Sequence, residues 1–439
     1  MRCLLAAGVV ATLAVSTPIA SAATWSTPAR LTPACPHGTP LFGCLVEPAP
    51  RIALDAGGSA VVAWSTRGDR IGVALARRAG RFGRPVDLGP GLRPAVVLGD
   101  ARATVVWTRR HSLYVSRAGA DGRFSTPRQL IPPGSKIGDD FAHLAAQPGG
   151  SIVVAYTNAF REPSGKYTTR LRAVTLSATG AVGPVRDLGN GFLDHDSFRA
   201  GPGGRAVICC LDTPLPPGRY GQFRTAGAVF TPGAGWRRLD PPLGPRLAVE
   251  TVAVGDGPVA WGTIDVKRSG DAGLLGVPGV IAAQASGVFG PPLAAALTGP
   301  STRGLHPVVA VDGSGRVVLV FQQKTAPRSF DRRGPVWATT GPTVGPLAQP
   351  IRLDASLAYQ PTVRAYGRGA VAAWATGAQR WGVAVERGGV FRPAAAPPGR
   401  PSTAGEDFSY NRDLAAAGRY AGLAWVDSDG SVMASVGTP

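Results

Sequence analysis

The sequence predicts an all-β fold made by repeating one four-stranded unit, and three observations predict it. Arg51-Ile52-Ala53-Leu54-Asp55-Ala56-Gly57-Gly58-Ser59-Ala60-Val61-Val62-Ala63-Trp64 reads as a strand, a Gly-rich turn and a second strand ending on an aromatic. Versions of this stretch recur, with the last residue of the second strand at Trp64, Trp107, Tyr156, Cys210, Trp261, Phe321, Trp374 and Trp425, 43 to 60 residues apart. Self-similarity at such a period marks repeat architectures. Finally, 60 Gly and 41 Pro in 439 residues fit many short strands between tight turns, and 44% hydrophobic residues exclude a disordered chain.

Residues 1–22 read as a secretory leader. Met1-Arg2-Cys3 is a short basic start, Leu4 to Val15 an apolar core, and Ala20-Ser21-Ala22 a small-residue cleavage site. Cleavage near Ala22 sends the chain to a secreted, extracellular location. Beyond the leader no apolar run of about 20 residues occurs, so no membrane span is expected. Arg2 leaves with the leader, so 46 Lys and Arg become 45 against 27 Asp and Glu, and the formal charge falls from +19 to +18. Such a surface attracts polyanions, nucleic acid among them only non-specifically, and salt weakens the attraction.

Each unit continues in a fixed order. The second strands are near-continuous apolar runs such as Ala60-Val61-Val62-Ala63 and Ala370-Val371-Ala372-Ala373, which suit strands covered on both faces. A loop and a third strand follow, as in Ile71-Gly72-Val73 and Trp381-Gly382-Val383. The fourth segment has the spacing aromatic-x-x-Pro-x-x-Leu: Phe82, Pro85, Leu88, then Phe124, Pro127, Leu130. Its Pro cannot donate to a ladder on both sides, which fits an outer edge. A four-stranded meander of this kind has the layout of a propeller blade.

The last unit, Glu406 to Pro439, has three strand-like segments and no fourth. Trp25, Pro28 and Leu31 repeat the fourth-segment spacing at the other end of the chain. The N-terminal strand is therefore expected to complete the last blade and close the ring. The count is eight blades, with seven left open by the degenerate fourth and fifth units. The expected domains are a signal peptide over 1–22 and a single β-propeller over 23–439. The latter divides into a closing strand over 23–32, a Cys-bracketed insertion over 33–47 and blades over 48–439. The pattern resembles secreted bacterial tandem-repeat β-propellers, related to sialidase-like and WD-repeat propellers at fold level only, and shared fold does not carry activity.

In an oxidising compartment Cys35 and Cys44 are expected to form a disulfide across the insertion. Metal binding by this pair with His37 lacks a fourth ligand. Cys209 and Cys210 adjoin in a strand, where neighbours point to opposite faces, so two buried free thiols are expected.

The resemblance implies that one face, built by the second-to-third-strand loops and the loops entering each first strand, holds the site. The first set is long in units three to six: Asn158 to Thr168, Asp212 to Gln222, Thr263 to Ala272 and Gln322 to Pro335. Its candidate binding residues are Arg161, Lys166, Tyr167, Arg219, Tyr220, Lys267, Arg268, Lys324, Arg332 and Arg333. Guanidinium forks suit carboxylate or sulfate, and aromatic faces suit sugar rings. Solvated insertions are the plain alternative. The second set holds Arg93, His143, Asp194, His195, Asp196, Glu250, His306, Gln360, Tyr410 and Asn411. Of these, Asp194, His195, Asp196, Glu250 and His306 are candidates for acid–base chemistry. No P-loop, dinucleotide fingerprint or sialidase Arg triad is found, and no cofactor or metal is expected.

These features predict a binding protein for an anionic polymer such as an acidic cell-wall or extracellular polysaccharide. The alternatives are a glycoside hydrolase or lyase in the funnel, and a scaffold for a protein partner.

Overall fold

The computed structural model describes residues 24–35, 50–131 apart from 67, 79 and 101, 142–161, 167–191, 193, 197–212, 225–240, 247–266, 276–283, 288–296, 304–323, 333–402 and 412–439. The leader and most of the insertion lie outside them. Among the described residues the only helical elements are two short 3-10 turns, Pro148–Gly150 and Pro202–Gly204.

Unit one shows the construction. Arg51–Leu54, Ala60–Thr66, Arg70–Ala76 and Val86–Pro90 pair antiparallel in that order. The second strand is buried along nearly its whole length and the fourth is mostly exposed. Units two to four repeat this, opening on Leu92–Gly99, His143–Ala146 and Phe198–Ala200. Units five to seven, opening on Leu247–Val254, Gly304–Val311 and within Ile351–Tyr366, are joined into one larger sheet. The 16-residue strand Ile351–Tyr366 is shared: its first half is the outer strand of unit six and its second half the inner strand of unit seven. Unit eight consists of Arg412–Ala417, Tyr420–Val426 and Val432–Thr438.

The N-terminal segment lies against that last unit. Thr24 and Trp25 pair with Thr438 and Gly437, and Ala29 and Arg30 pair with Ala434 and Met433. Leu31 is buried, its amide donates to the Val432 carbonyl at 2.8 Å, and Arg30 pairs with Asp429 at 2.8 Å.

The aromatic at the end of each second strand is a packing residue. Trp64, Trp107, Tyr156, Trp261, Phe321, Trp374 and Trp425 are all at most 3% exposed. Two glycines explain how such rings fit. Gly72 and Gly382 lie directly opposite Trp64 and Trp374 in the ladder, and an added Cβ at either would fall inside the indole.

Both faces of the sheets are buried by their neighbours. One apolar cluster packs unit one against unit two, another unit two against unit three, and so on along the chain. An eighth, containing Ile52, Val62 and Trp64 with Ala424, Val432 and Ala434, packs unit eight against unit one. The fourth-segment spacing has a reason too. Phe82, Phe124 and Phe289 bridge back to the end of the third strand, and Leu88 and Leu130 plug the base of the sheet.

The expectation of two free thiols in unit four fails for Cys209, which is half of a disulfide. The ladder there jumps from Ile208 to Leu211, so Cys209 and Cys210 sit together in a bulge. Cys35 is also disulfide-bonded; Cys44 lies outside the described residues.

Candidate functional site: the axial cavity and its mouth

The first strands of units one, two, three, four, seven and eight surround a cavity of about 250 Å³. Its walls are mostly apolar, from Ile52, Val96, Leu144 and Leu414 among others. Into them are set Arg51, His143, Arg199, Arg364 and Asp413.

Register explains how residues so far apart in sequence meet. Arg51, His143 and Asp413 pair with Ala63, Ala155 and Ala424, in each case the residue just before the aromatic that ends the second strand. They therefore occupy one level. Arg199 and Arg364 pair with Val207 and Val371, three residues before Cys210 and Trp374. That second level is two residues, roughly 7 Å, nearer the hairpin turns.

Asp413 is a tie between units. Its Oδ2 accepts from the Ile52 amide at 3.1 Å, and its Oδ1 accepts from the Leu414 amide at 2.9 Å and pairs with Arg364 Nη2 at 3.3 Å. Arg364 Nη1 also donates to the Val363 carbonyl at 2.9 Å, and Arg199 Nη1 to the Phe198 carbonyl at 2.8 Å. These bonds hold the Arg364 and Arg199 guanidiniums in place. The His143 ring stacks on Phe198 at 5.2 Å and 22°. Three guanidiniums face one carboxylate among the described lining residues, and that carboxylate is already bonded to one of them.

The residues expected at the mouth fall into three groups. Arg333 is placed, with its guanidinium 5.8 Å over the Tyr359 ring. Tyr359 pairs with Ala375, beyond the Thr362–Ala373 pair and so on the mouth side of the Arg51 level. Arg161 and Tyr167 are strand residues rather than loop residues. The unit-three ladder continues to an Arg161–Tyr167 pair, six residues past the Ala155 that faces His143. Strands also reach Val266 and Gln323, so the connections of units three, five and six are shorter than expected, whereas that of unit four, between Asp212 and Thr225, is not. Lys166, Arg219, Tyr220, Lys267, Arg268, Lys324 and Arg332 lie outside the described residues, as do Asp194, His195 and Asp196.

Glu250, His306, Arg93 and Gln360 were expected in loops and stand inside first strands instead, at ladder irregularities. Arg93, His306 and Gln360 each precede a Pro, whose missing amide a bulge tolerates. Arg93 and His306 take positive φ of 54° and 46°. His306 is not among the residues lining the axial cavity. The sequence reading passed over Arg51, Arg199, Arg364 and Asp413, because none sits in a loop. Counting back from each second-strand aromatic across the hairpin would have found them.

No protein-family model matches the chain, and no curated protein matches it. Solved structures do. A lectin from Burkholderia pseudomallei, named BP39L, matches over 80% of this chain and 100% of its own, at 14% identity and a TM-score of 0.53. The lectin of Aleuria aurantia, described as a six-bladed β-propeller, matches over 83% of this chain and 99% of its own, at 11% identity and a TM-score of 0.40. An α-L-arabinanase from Penicillium chrysogenum matches over 94% and 98%, at 12% identity and a TM-score of 0.40. Identities this low speak to fold, and the last two scores support no argument by themselves. With the repeated four-stranded meanders, the class is a β-propeller.

Proposed function

We propose that this chain is a secreted eight-bladed propeller, closed by its N-terminal strand, that binds an acidic polysaccharide across the mouth of its axis. The eight inter-unit clusters, the last joining unit eight to unit one, support the blade count and the closure. The leader-like residues 1–22 support secretion, and the disulfide at Cys35 supports an oxidising compartment and a bridge to Cys44.

The observation that carries the ligand class is Arg333 held over Tyr359 at the mouth. A cation fixed by an aromatic presents a charge for a carboxylate beside a flat apolar face for a sugar ring. In the sequence, further basic residues, Arg219, Lys267 and Arg332 among them, fall in the same set of loops. The lectin likeness is one of fold and does not supply the ligand. Glycoside cleavage needs two carboxylates across the sugar; the axial cavity's described lining has Asp413 alone, tied to Arg364.

Pull-down on polygalacturonate beads tests this reading. Retention is expected at about 20 mM NaCl and loss by a few hundred millimolar, because each neutralised charge adds salt dependence. Changing Arg219, Lys267, Arg332 and Arg333 together to Ala should abolish retention, and a quadruple variant that binds as before moves the site elsewhere.

A further inference from the structure

We infer that the hairpin-turn end of units one and two docks on a membrane surface of anionic lipid. This end lies opposite the mouth. In unit one Ala60 pairs with Leu54 and Ala76 there, whereas Thr66 pairs with Arg70 at the mouth end. In unit two the pairs Gly99–Arg102 and Thr104–Arg117 mark the same end. The four turns there with their flanks, 55–59, 77–84, 100–102 and 117–128, hold eight arginines against three aspartates. The matching turns of unit three, 147–151 and 177–182, hold no charged residue. The charge is therefore a patch and not a general coating.

Contacts gather these arginines into one field. Arg77 Nη2 donates to the Asp121 carbonyl at 3.4 Å, from unit one to unit two. Arg117 Nη1 donates to the Ser177 carbonyl at 2.6 Å, and Arg128 to the Gly180 carbonyl in the same turn of unit three. The fields of Arg128 and Arg102 both bear on Arg117, so the three guanidiniums are neighbours. Arg78, Arg81, Arg84 and Arg102 are exposed. Of the aspartates, Asp55 takes the Ser59 amide at 2.8 Å. Asp121 pairs with Arg123 at 3.8 Å, with side chains 59% and 91% exposed, and so open a pair contributes little.

Composition selects the partner. The polymer grip proposed at the mouth sets an aromatic face beside the charge, and strands of bases need the same. The two aromatics of these turns, Phe82 and Phe124, join instead the apolar clusters between units eight and one and between units one and two. The turn tips are Gly80, Gly83, Gly119, Ala120 and Gly122, small residues that let a flat surface come close. Among the described residues of these turns no large apolar side chain is exposed, so nothing inserts. Phosphate head groups ask only for charge, and a cluster of four to eight basic residues supplies enough of it. The docking is electrostatic and reversible, and none of it rests on the mouth.

Vesicle flotation tests the docking, with the chain from Ala23 on, which keeps every described residue and omits the apolar leader. Vesicles of phosphatidylglycerol and phosphatidylcholine in about equal parts should carry the chain at about 20 mM NaCl and release it by about 300 mM. Vesicles of phosphatidylcholine alone should not carry it. Arg78→Gln, Arg81→Gln and Arg102→Gln together change exposed guanidiniums that bond to no described residue. They should weaken vesicle binding on the order of a hundredfold, about fivefold for each arginine. The Arg219, Lys267, Arg332 and Arg333 quadruple variant should float as the parent does. Flotation kept while polygalacturonate retention is absent supports the docking and removes only the mouth reading. A triple variant that floats like the parent, equal flotation with phosphatidylcholine alone, or flotation lost in the quadruple variant overturns the inference. Failure of the parent to float overturns it as well; if the triple variant then loses polygalacturonate beads or duplex DNA, the patch belongs to a polymer.

Discussion

Glu386, on the third strand of unit seven, is 0% exposed, and the Gly389 amide donates to its Oε1 at 2.5 Å. Its Oε2 and the nearby Asp312 Oδ2 have no hydrogen-bond partner. Burial raises its carboxyl above the usual range; the Gly389 bond opposes this, the field of Asp312 adds to it, and Arg316 opposes it. The folded chain therefore holds this proton more tightly than the unfolded chain. That contribution to stability is fully present below the unfolded value and is lost as pH climbs through the raised folded value. Glu386→Gln keeps an acceptor for the Gly389 amide and removes the ionisation. The variant should match the parent near pH 4 and melt about one to a few degrees higher at pH 7. Equal melting at both values would show that Glu386 is not the group at issue. Asp187 and Asp429 work the other way. Burial pushes each up, but hydrogen bonds and Arg170 or Arg30 outweigh it and leave each below the usual range. The comparison must therefore be variant against parent at each pH. At this scale the site was poorly legible. Arg51, Arg199 and Arg364 are three arginines in an arginine-rich chain, and only the register of three separate hairpins brings them to one cavity.

The N-terminal strand is the element that the rest of the last unit needs. Trp25 Nε1 donates to the Ala395 carbonyl at 2.7 Å and its ring joins the core between units seven and eight. Ser26 and Leu31 amides donate to the Val436 and Val432 carbonyls, both at 2.8 Å. Without residues 23–32, Val432–Thr438 becomes an open strand edge, the surface on which chains aggregate. A chain starting at Pro33 should unfold at lower urea than one starting at Ala23 and should elute partly as oligomer on gel filtration. Trp25→Ala alone should cost about 2–4 kcal/mol. Identical urea midpoints for all three chains would mean that the docked strand contributes nothing. This element was legible because its signal is local: Trp25, Pro28 and Leu31 repeat the spacing of Phe82, Pro85, Leu88 and Phe124, Pro127, Leu130, in which the Leu is buried and the aromatic half-buried each time. The second strands were legible for the same reason, their aromatics marking where each sheet meets its neighbour. The shared strand Ile351–Tyr366 was not, because the chain runs from unit six into unit seven without a turn and Pro361 sits in a bulge inside the strand; neither was the length of the unit-three hairpin, since Asn158 to Arg161 is polar enough to pass for loop. Pairing partners across the ladder, absent from a linear reading, decide both.

Across the whole molecule, many arginines bind carbonyls rather than acids. Arg117 Nη1 donates to the Ser177 and Ala178 carbonyls at 2.6 and 2.9 Å, fixing unit two to turns of unit three. Arg205 Nη1 donates to the Gly255 and Gly257 carbonyls at 2.9 and 2.7 Å, joining unit four to unit five. Arg77 reaches the Asp121 carbonyl, Arg128 the Gly180 carbonyl and Arg387 the Pro439 carbonyl, each one unit further along. A carbonyl satisfies a donor without cancelling its charge. Burial, then the fields of Arg128 and Arg102, lower the Arg117 guanidinium, and burial, then Arg237, lower that of Arg205, against a weaker opposing pull from Asp256. An arginine remains charged through such shifts. The chain thus folds against the self-repulsion of a formal +19, and its staples are charge–dipole contacts, which salt screens little over so short a range. Self-repulsion between charges a Debye length or more apart is what salt removes. Raising NaCl from about 20 to about 300 mM should therefore raise the melting temperature by a few degrees, whereas a fold held mainly by surface ion pairs such as Arg70–Asp87 would lose stability over the same range. Sodium sulfate at matched ionic strength separates screening from anion binding: equal gains from both salts mean screening, and a larger gain from sulfate means that an anion is held by the folded chain. A melting temperature that falls with NaCl would show that ion pairs, not arginine–carbonyl staples, carry the contacts between units.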